Sequence, residues 1–385
     1  MSPDPQSRST GAFISMCVVG FVCVLGLGML VPVMPKHAQD LGLSGGEIGV
    51  VGGVFWVPAV VLRPLIGLGL DGRGRRPFLR AGLALTLICG LCYPLAHGLV
   101  GLLAIRLTHG VGFAMASSAM ATMVSDAAPR ARANETMSYY WMAAFAGYAI
   151  GPGTGEWLFA SGHVDLVFLT VAAAHAVALV ISLVLVEPPR APSPPTHTFA
   201  RNGILHRAAF RPALAMAFVS LAAASAETFV PLVMRERQLG SAVSFFALFA
   251  LALLVSNLGA GKLADRGARR SLIIAGTVCC AVAMVLITAG QTVAVLRVAA
   301  LLIGLGWGTV YPGVFAQTMD QIVESEKGRA VCTLTAAGDL AFGASLFVAG
   351  ALVRHGGIHA TFSTAAVLAA IGAVAAVPLG RPRPG

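Results

Sequence analysis

The chain has 385 residues, of which 57% are apolar and 11% charged, with a mean hydropathy of +0.82. A soluble globular chain carries about 25% charged residues, so a disordered chain, a nucleic-acid module and an ordinary cytosolic enzyme are excluded. The net charge of +10, with a pI near 9.8, must be explained by where the basic residues fall.

Apolar stretches recur at 12–35, 47–70, 78–97, 99–123, 137–160 and 164–186, and again at 212–234, 242–264, 271–290, 293–318, 330–353 and 358–379. A helix crossing a bilayer needs about 20 apolar residues, so each stretch reads as one span. The first follows Arg8 and is longer than the apolar core of a secretory signal, about 7–15 residues. It reads as a retained span, ended by Pro32 and Pro35. After six spans comes 187–211, rich in Pro, Ser and Arg, which reads as a solvated linker. The expected fold is an all-α membrane protein with twelve transmembrane helices in two six-helix bundles, over 1–186 and 212–385. Glu156, late in span 5, reads as a solvated acid near the outer surface.

Basic residues favour the cytoplasmic side of a membrane. The loops after even-numbered spans, with both tails, hold nineteen Lys and Arg, and the opposite loops hold four, Lys36, Arg235, Arg237 and Arg354. The net charge is therefore topology rather than a nucleic-acid footprint. Both termini are expected in the cytoplasm and the protein in the inner (plasma) membrane. The seven cysteines all sit in apolar runs, and Cys89 and Cys92, despite C-x-x-C spacing, read as small apolar residues.

The halves repeat at a constant offset of 194: Asp71 with Asp265, Gly110 with Gly304, Gly112 with Gly306, Asp126 with Asp320. Two parallel halves place a substrate site between them near the midplane. The loop after span 2 has Gly67, Asp71, Gly74, Arg75 and Arg76, and its second copy has Gly261, Asp265, Arg266, Ala268, Arg269 and Arg270. Glycine permits a tight turn and close helix approach, and an acid there can bond an Arg or a helix N-terminus. Such a latch holds one conformation and releases in another. Plain topological anchoring accounts for the arginines but not for Asp71 and Asp265. The pattern resembles the G-x-x-x-D-R-x-G-R-R loop of the major facilitator superfamily, with Gly72 where that loop has Arg.

Span 4 carries Arg106, His109, Gly110 and Gly112, similar to the R-x-x-Q-G-x-G motif of that superfamily, with His109 in place of Gln. An Arg inside a span is costly unless it lines a cavity or finds partners. The resemblance implies a part in proton coupling for Arg106, with His109 either titrating or simply hydrogen-bonded. Span 5 has Gly147, Gly151 and Gly155 at every fourth residue, with Pro152 kinking the helix. This resembles the glycine motif of the superfamily's proton-driven exporters.

Two acids lie inside later spans, Glu227 and Asp339. An intramembrane acid is a functional candidate by default; a partner for an Arg or a helix end is the plainer role. Related exporters often carry an acid in span 1, where this chain has Gly26 and Gly28, so Glu227 is a substitute proton carrier. His175 in span 6 reads as structural. Phe145, Tyr148, Phe229, Trp307 and Tyr311 sit near span centres as candidates to line an apolar cavity. There is no phosphate-binding loop or hydrolase signature. The resemblance implies a secondary transporter rather than an enzyme: a monomer handling a small-molecule substrate and protons in the lipid bilayer. It implies no nucleic acid, no metal and no cofactor beyond the proton gradient. Efflux of a drug-like molecule by antiport is expected. Uptake of a sugar or other metabolite on the same fold, and a non-transporting membrane sensor, are the alternatives.

Overall fold

A backbone crossing lipid must satisfy its own N–H and C=O groups, which a helix does within a single segment. The computed structural model describes residues 5–128, 133–185, 187, 207–263, 268–319 and 327–376, and among these there is helix but no strand. The helices are α1 (Pro5–Asp40), α2 (Gly45–Val54), α3 (Trp56–Val61), α4 (Arg63–Arg73), α5 (Arg75–Cys92), α6 (Gly98–Ala127), α7 (Ala133–Ala160) and α8 (Val164–Val184). They continue with α9 (Arg207–Glu236), α10 (Val243–Leu263), α11 (Arg269–Ala289), α12 (Val293–Met319) and α13 (Lys327–Ala376). A 3-10 turn, Tyr93–Leu95, follows α5.

Among the described residues nine helices are long and apolar enough to cross a membrane. The difference from twelve has local causes. Span 2 is divided into α2, α3 and α4. Pro58 lacks an N–H, and its ring crowds the carbonyl four residues back, which is Val54, the last residue of α2. Spans 11 and 12 run together as α13, whose 50 residues are kinked at Gly357 by a backbone φ of +70°. The third, α7, is diluted by Tyr, Gly, Pro152 and Glu156.

Span 1 corrects an expectation. Pro32 and Pro35 do not end it, and α1 continues through both to Asp40. A proline frees the carbonyl four residues back, of Gly28 for Pro32 and of Val31 for Pro35, and a spanning helix tolerates this where neighbouring groups re-satisfy the backbone. The start of α2 is a reciprocal cap. The Ser44 hydroxyl accepts from the Glu47 N–H, and the Glu47 carboxylate accepts from the Ser44 N–H at 2.7 Å.

Contacts divide the chain into two units, one of Met1–Leu41 with Val57–Pro195 and one of Gly42–Trp56 with Thr196–Gly385. In the first, α1 lies along α7 and α8, and α5 packs between α6 and α8. In the second, α9 lies along α13, α12 packs between α10 and α11, and α2 packs on α13. Gly49 makes the last contact close: a Cβ there would stand 2.6 Å from the Gly350 Cα.

Candidate functional site

The first copy of the glycine–arginine loop is built around a single buried guanidinium. Gly74 ends α4 and opens α5 with a φ of +94°, its N–H donating to the Leu70 carbonyl. That left-handed backbone is what demands glycine. Arg75 then turns inward. Its Nε donates to Asp126 Oδ2 at 3.0 Å, its Nη1 to the Leu70 carbonyl at 2.8 Å, and its backbone N–H to Glu187 Oε1 at 2.9 Å. Arg76 and Arg80 donate to the Leu183 carbonyl at the end of α8, at 3.3 and 3.0 Å, where helix carbonyls lack intrahelical partners.

Gly67 lies within α4, with nothing among the described residues within 4 Å of where a Cβ would stand. The acids seen on Arg75 are Asp126 and Glu187, which the motif does not contain. Asp126 had a signal in the sequence, its match to Asp320 at the 194 offset; Glu187 had none. The backbone of Asp71 belongs to α4, and its side chain lies outside the described residues, as do Asp265 and Arg266 of the second copy. Arg269 and Arg270 open α11.

The span-5 glycines lie against α1. A Cβ at Gly151 would stand 2.6 Å from the Leu25 carbonyl oxygen and 2.9 Å from the Gly28 Cα, and one at Gly155 would stand 2.8 Å from the Met29 Cα. Gly147 meets Phe21 and Leu25 in the same way. Gly28 in turn leaves room for the Pro152 ring, 3.0 Å from its would-be Cβ. The two backbones therefore touch over two turns. Beyond this seam Glu156 overturns an expectation: it is fully buried rather than solvated. Its two oxygens accept from Lys36 Nζ at 2.6 and 2.8 Å, and the ammonium lies 5.1 Å from the centre of the Phe159 ring. Lys36, read from the sequence as a loop residue, is carried there because α1 continues past its prolines.

Arg106 and His109 are both buried in α6. His109 Nδ1 and the Tyr93 hydroxyl are 3.0 Å apart. His175 of α8 is brought edge-on to His109, with ring centres 5.9 Å apart. Its Nδ1 is 2.8 Å from the Val171 carbonyl oxygen. Beside His175 is a cavity of about 20 Å³, lined by Cys23, Thr86, Ser117 and Tyr140 among apolar neighbours. None of the five aromatic residues proposed from the sequence lines it.

In the second unit Glu227 of α9 is fully buried, as is Phe229. Asp339 of α13 is half-buried. These two acids sit on helices that pack along each other. Between them Gly338 lets α13 approach Met216 and Ser220, 3.5 and 3.7 Å from its would-be Cβ. Trp307 stacks on Phe249 of α10 at 6.1 Å, and Tyr311 stacks on Phe315 one turn along α12 at 4.7 Å. In the first unit Tyr148 is buried and Phe145 lies 6.3 Å from Trp141. Among the described residues no group of His, Cys, Asp and Glu is placed to hold a metal ion.

The chain is similar to the quinolone resistance protein NorA of Staphylococcus aureus, 25% identical over 170 residues covering 44% of each chain. It is similar also to multidrug resistance protein 2 of Bacillus subtilis, 27% identical over 167 residues, 43% of this chain and 42% of the relative. It thus spans less than half the length of these relatives. Among solved structures, the human organic anion transporter MFSD10 (TETRAN) matches with a TM-score of 0.71 at 19% identity, covering 97% of this chain and 100% of that one. At that identity the likeness speaks for the fold. The Major Facilitator Superfamily model matches residues 16–346. That stretch takes in both glycine–arginine loops, the Arg106 helix and the α1–α7 seam, and on that match the chain belongs to the Major Facilitator Superfamily of membrane transporters.

Proposed function

We propose that this transporter exports small organic molecules across the plasma membrane in exchange for protons, with both termini in the cytoplasm. The observation that carries the reading is the backbone contact of α7 with α1 at Gly147, Gly151 and Gly155, beside the Pro152 ring. A contact this close resists sliding and opening of that helix pair, which suits a protein that must not leak protons between its working states. The relatives' names, quinolone resistance and multidrug resistance, agree with export.

Glu227 is the proton carrier in this reading. It is fully buried in α9, as are Ala226, Thr228 and Phe229 beside it in sequence, and an acid inside a span is a functional candidate. A cationic or polar substrate beside it favours ionisation, so substrate binding and protonation oppose each other. Linkage makes that opposition reciprocal, which is what antiport requires. Asp339 on the packed helix assists, and Arg106 adjusts the charge balance of the first unit. Arg75 with Asp126 and Glu187 acts as the conformational latch.

The test uses inside-out membrane vesicles, a fluorescent cationic dye and an acidified lumen. Dye accumulation that dissipates the pH gradient is expected. Glu227→Gln should abolish both and remove the pH dependence of dye binding between about pH 5.5 and 8.5, with Asp339→Asn the milder defect. Retained pH dependence in Glu227→Gln with its loss in Asp339→Asn would move the proton site to α13. Net dye movement in the opposite direction would replace export by uptake.

A further inference from the structure

We propose that the first unit binds the phosphate headgroup of one anionic phospholipid between Arg76 and Arg80, at the edge where α5 meets α8. The first turns of α5 and the last turn of α8 reach the same membrane surface, the expected cytoplasmic one. Arg76 and Arg80 stand there one helical turn apart, both part-exposed. Their hydrogen bonds among the described residues go to backbone carbonyls. Arg76 Nη2 donates to Leu183 at 3.3 Å, and Arg80 Nη2 donates to Leu183 at 3.0 Å and to Ser182 at 3.4 Å. Neither guanidinium has a carboxylate partner among the described residues, and the Nε of each has no acceptor. The acids seen nearby, Asp126 and Glu187, are engaged by Arg75. A guanidinium presents five donors, so each keeps hydrogen-bonding capacity that the protein does not use. The carbonyl end of α8 carries about half a negative charge, which offsets only part of two full positive charges.

The placement of the pair identifies the anion as a lipid. α5 packs on α8 through Gly90, whose would-be Cβ stands 3.0 Å from the Ala172 Cα. With about 3.6 residues per turn, Arg76 and Arg80 stand between that packed face and the exposed face of Pro77, Ala81 and Ile88. On α8, Val180, Leu183 and Val184 are exposed at the same end and form an apolar ledge beside the guanidiniums. A phospholipid offers both halves of the match in one molecule, a phosphate for the planar donors of arginine and an acyl chain for the ledge. A soluble phosphate offers only the first. The cytoplasmic leaflet is also the one that carries anionic lipid. Arg80 lies beyond the glycine–arginine loop motif, which ends at Arg76. At the 194 offset Arg76 matches Arg270, but Arg80 matches Ile274. The second half therefore lacks the pair, and one such site is expected per molecule. A headgroup held there ties α5 to α8 next to the Arg75 contacts, and its binding does not depend on the export reading.

Native mass spectrometry of the purified full chain in detergent, titrated with phosphatidylglycerol, phosphatidylcholine or inorganic phosphate, counts bound molecules without any transport. One phosphatidylglycerol is expected to bind about ten-fold or more tightly than phosphatidylcholine, and inorganic phosphate should not displace it. Arg80→Gln should weaken that binding about five-fold, and Arg76→Gln with Arg80→Gln about 25-fold. Arg354→Gln, which removes a charge from the opposite loops, should bind as wild type does. Arginines also guide insertion, so Val184→Glu is the second variant. It keeps both arginines, sets a carboxylate beside them, and should lower phosphatidylglycerol binding to the level of phosphatidylcholine. Unchanged phosphatidylglycerol binding in the double arginine variant overturns the site; if that variant does not insert, unchanged binding in Val184→Glu does so. Equal binding of the two lipids overturns the anionic headgroup, and displacement by inorganic phosphate overturns the lipid in favour of a soluble anion. Loss of export in Glu227→Gln with lipid binding intact leaves this site standing, so the two readings fail separately.

Discussion

Lys36 and Glu156 are a buried ion pair joining α1 to α7, with Nζ–Oε distances of 2.6 and 2.8 Å. Taking two charges out of water is expensive, and their attraction repays it only with good geometry. Removing one partner leaves a buried charge uncompensated. Lys36→Met is therefore expected to destabilise the purified protein by about 3–5 kcal/mol, read as a lower unfolding temperature in detergent. Lys36→Met with Glu156→Met should recover most of the loss, because two apolar side chains need no partner. If the single and double variants unfold alike, the pair is not what joins the helices. Arg75 gives a second prediction. Asp126→Asn keeps the size of Arg75's partner and removes the negative charge that faces Nε, and conformational couplings of about 1–3 kcal/mol change equilibria 5–150-fold. The expected result is normal membrane insertion with strongly slowed transport. A wild-type rate in Asp126→Asn would transfer the latch to Glu187 and the Leu70 carbonyl.

At the scale of elements, the α1–α7 seam is the tightest constraint. A Cβ at Gly151 would stand 2.6 Å from a backbone oxygen and 2.9 Å from a backbone carbon, and neither can swing away as a side chain does. Gly151→Ala should force the two helices apart, lower thermal stability and abolish transport. Gly259 of α10 is the control, with nothing among the described residues within 4 Å of its would-be Cβ. Gly259→Ala should be neutral or slightly stabilising, since alanine is favoured over glycine in a helix by about 1 kcal/mol. Equal loss of transport in both variants would mean that helix flexibility, not the seam, matters. The seam was legible because a period of four is a local pattern. The division of span 2 was equally local, through Pro58, but composition alone ran over it because α2 and α3 are both apolar. The continuation of α1 to Asp40 went unread because a proline ends a helix in most contexts, while a spanning helix tolerates one where its surroundings re-satisfy the backbone.

At the scale of the whole molecule, the charge distribution predicts the orientation. Nineteen basic residues fall on one set of loops and tails and four on the other. Reporter fusions active only outside the cytoplasm should work at Gly162, in the turn between α7 and α8, and fail at Ser193 in the linker. An active fusion at Ser193 would invert the topology and with it the proposed direction of export.

Hydropathy, the 194-residue repeat and the glycine spacing are properties of consecutive residues, and they alone determined the class of fold, the family resemblance and the residues of the seam. Helix in lipid is dictated segment by segment, so a one-dimensional pattern suffices for it. The partners of the charged groups are a different matter. Arg75 meets Asp126 and Glu187 across 51 and 112 residues of chain, and Lys36 meets Glu156 across 120. His109 and His175 are likewise neighbours only because α6 and α8 both pack against α5. Which acid neutralises which base depends on the rotation and depth of each helix in its bundle. Those are set by the packing of many small side chains at once, and only the tertiary structure decided them.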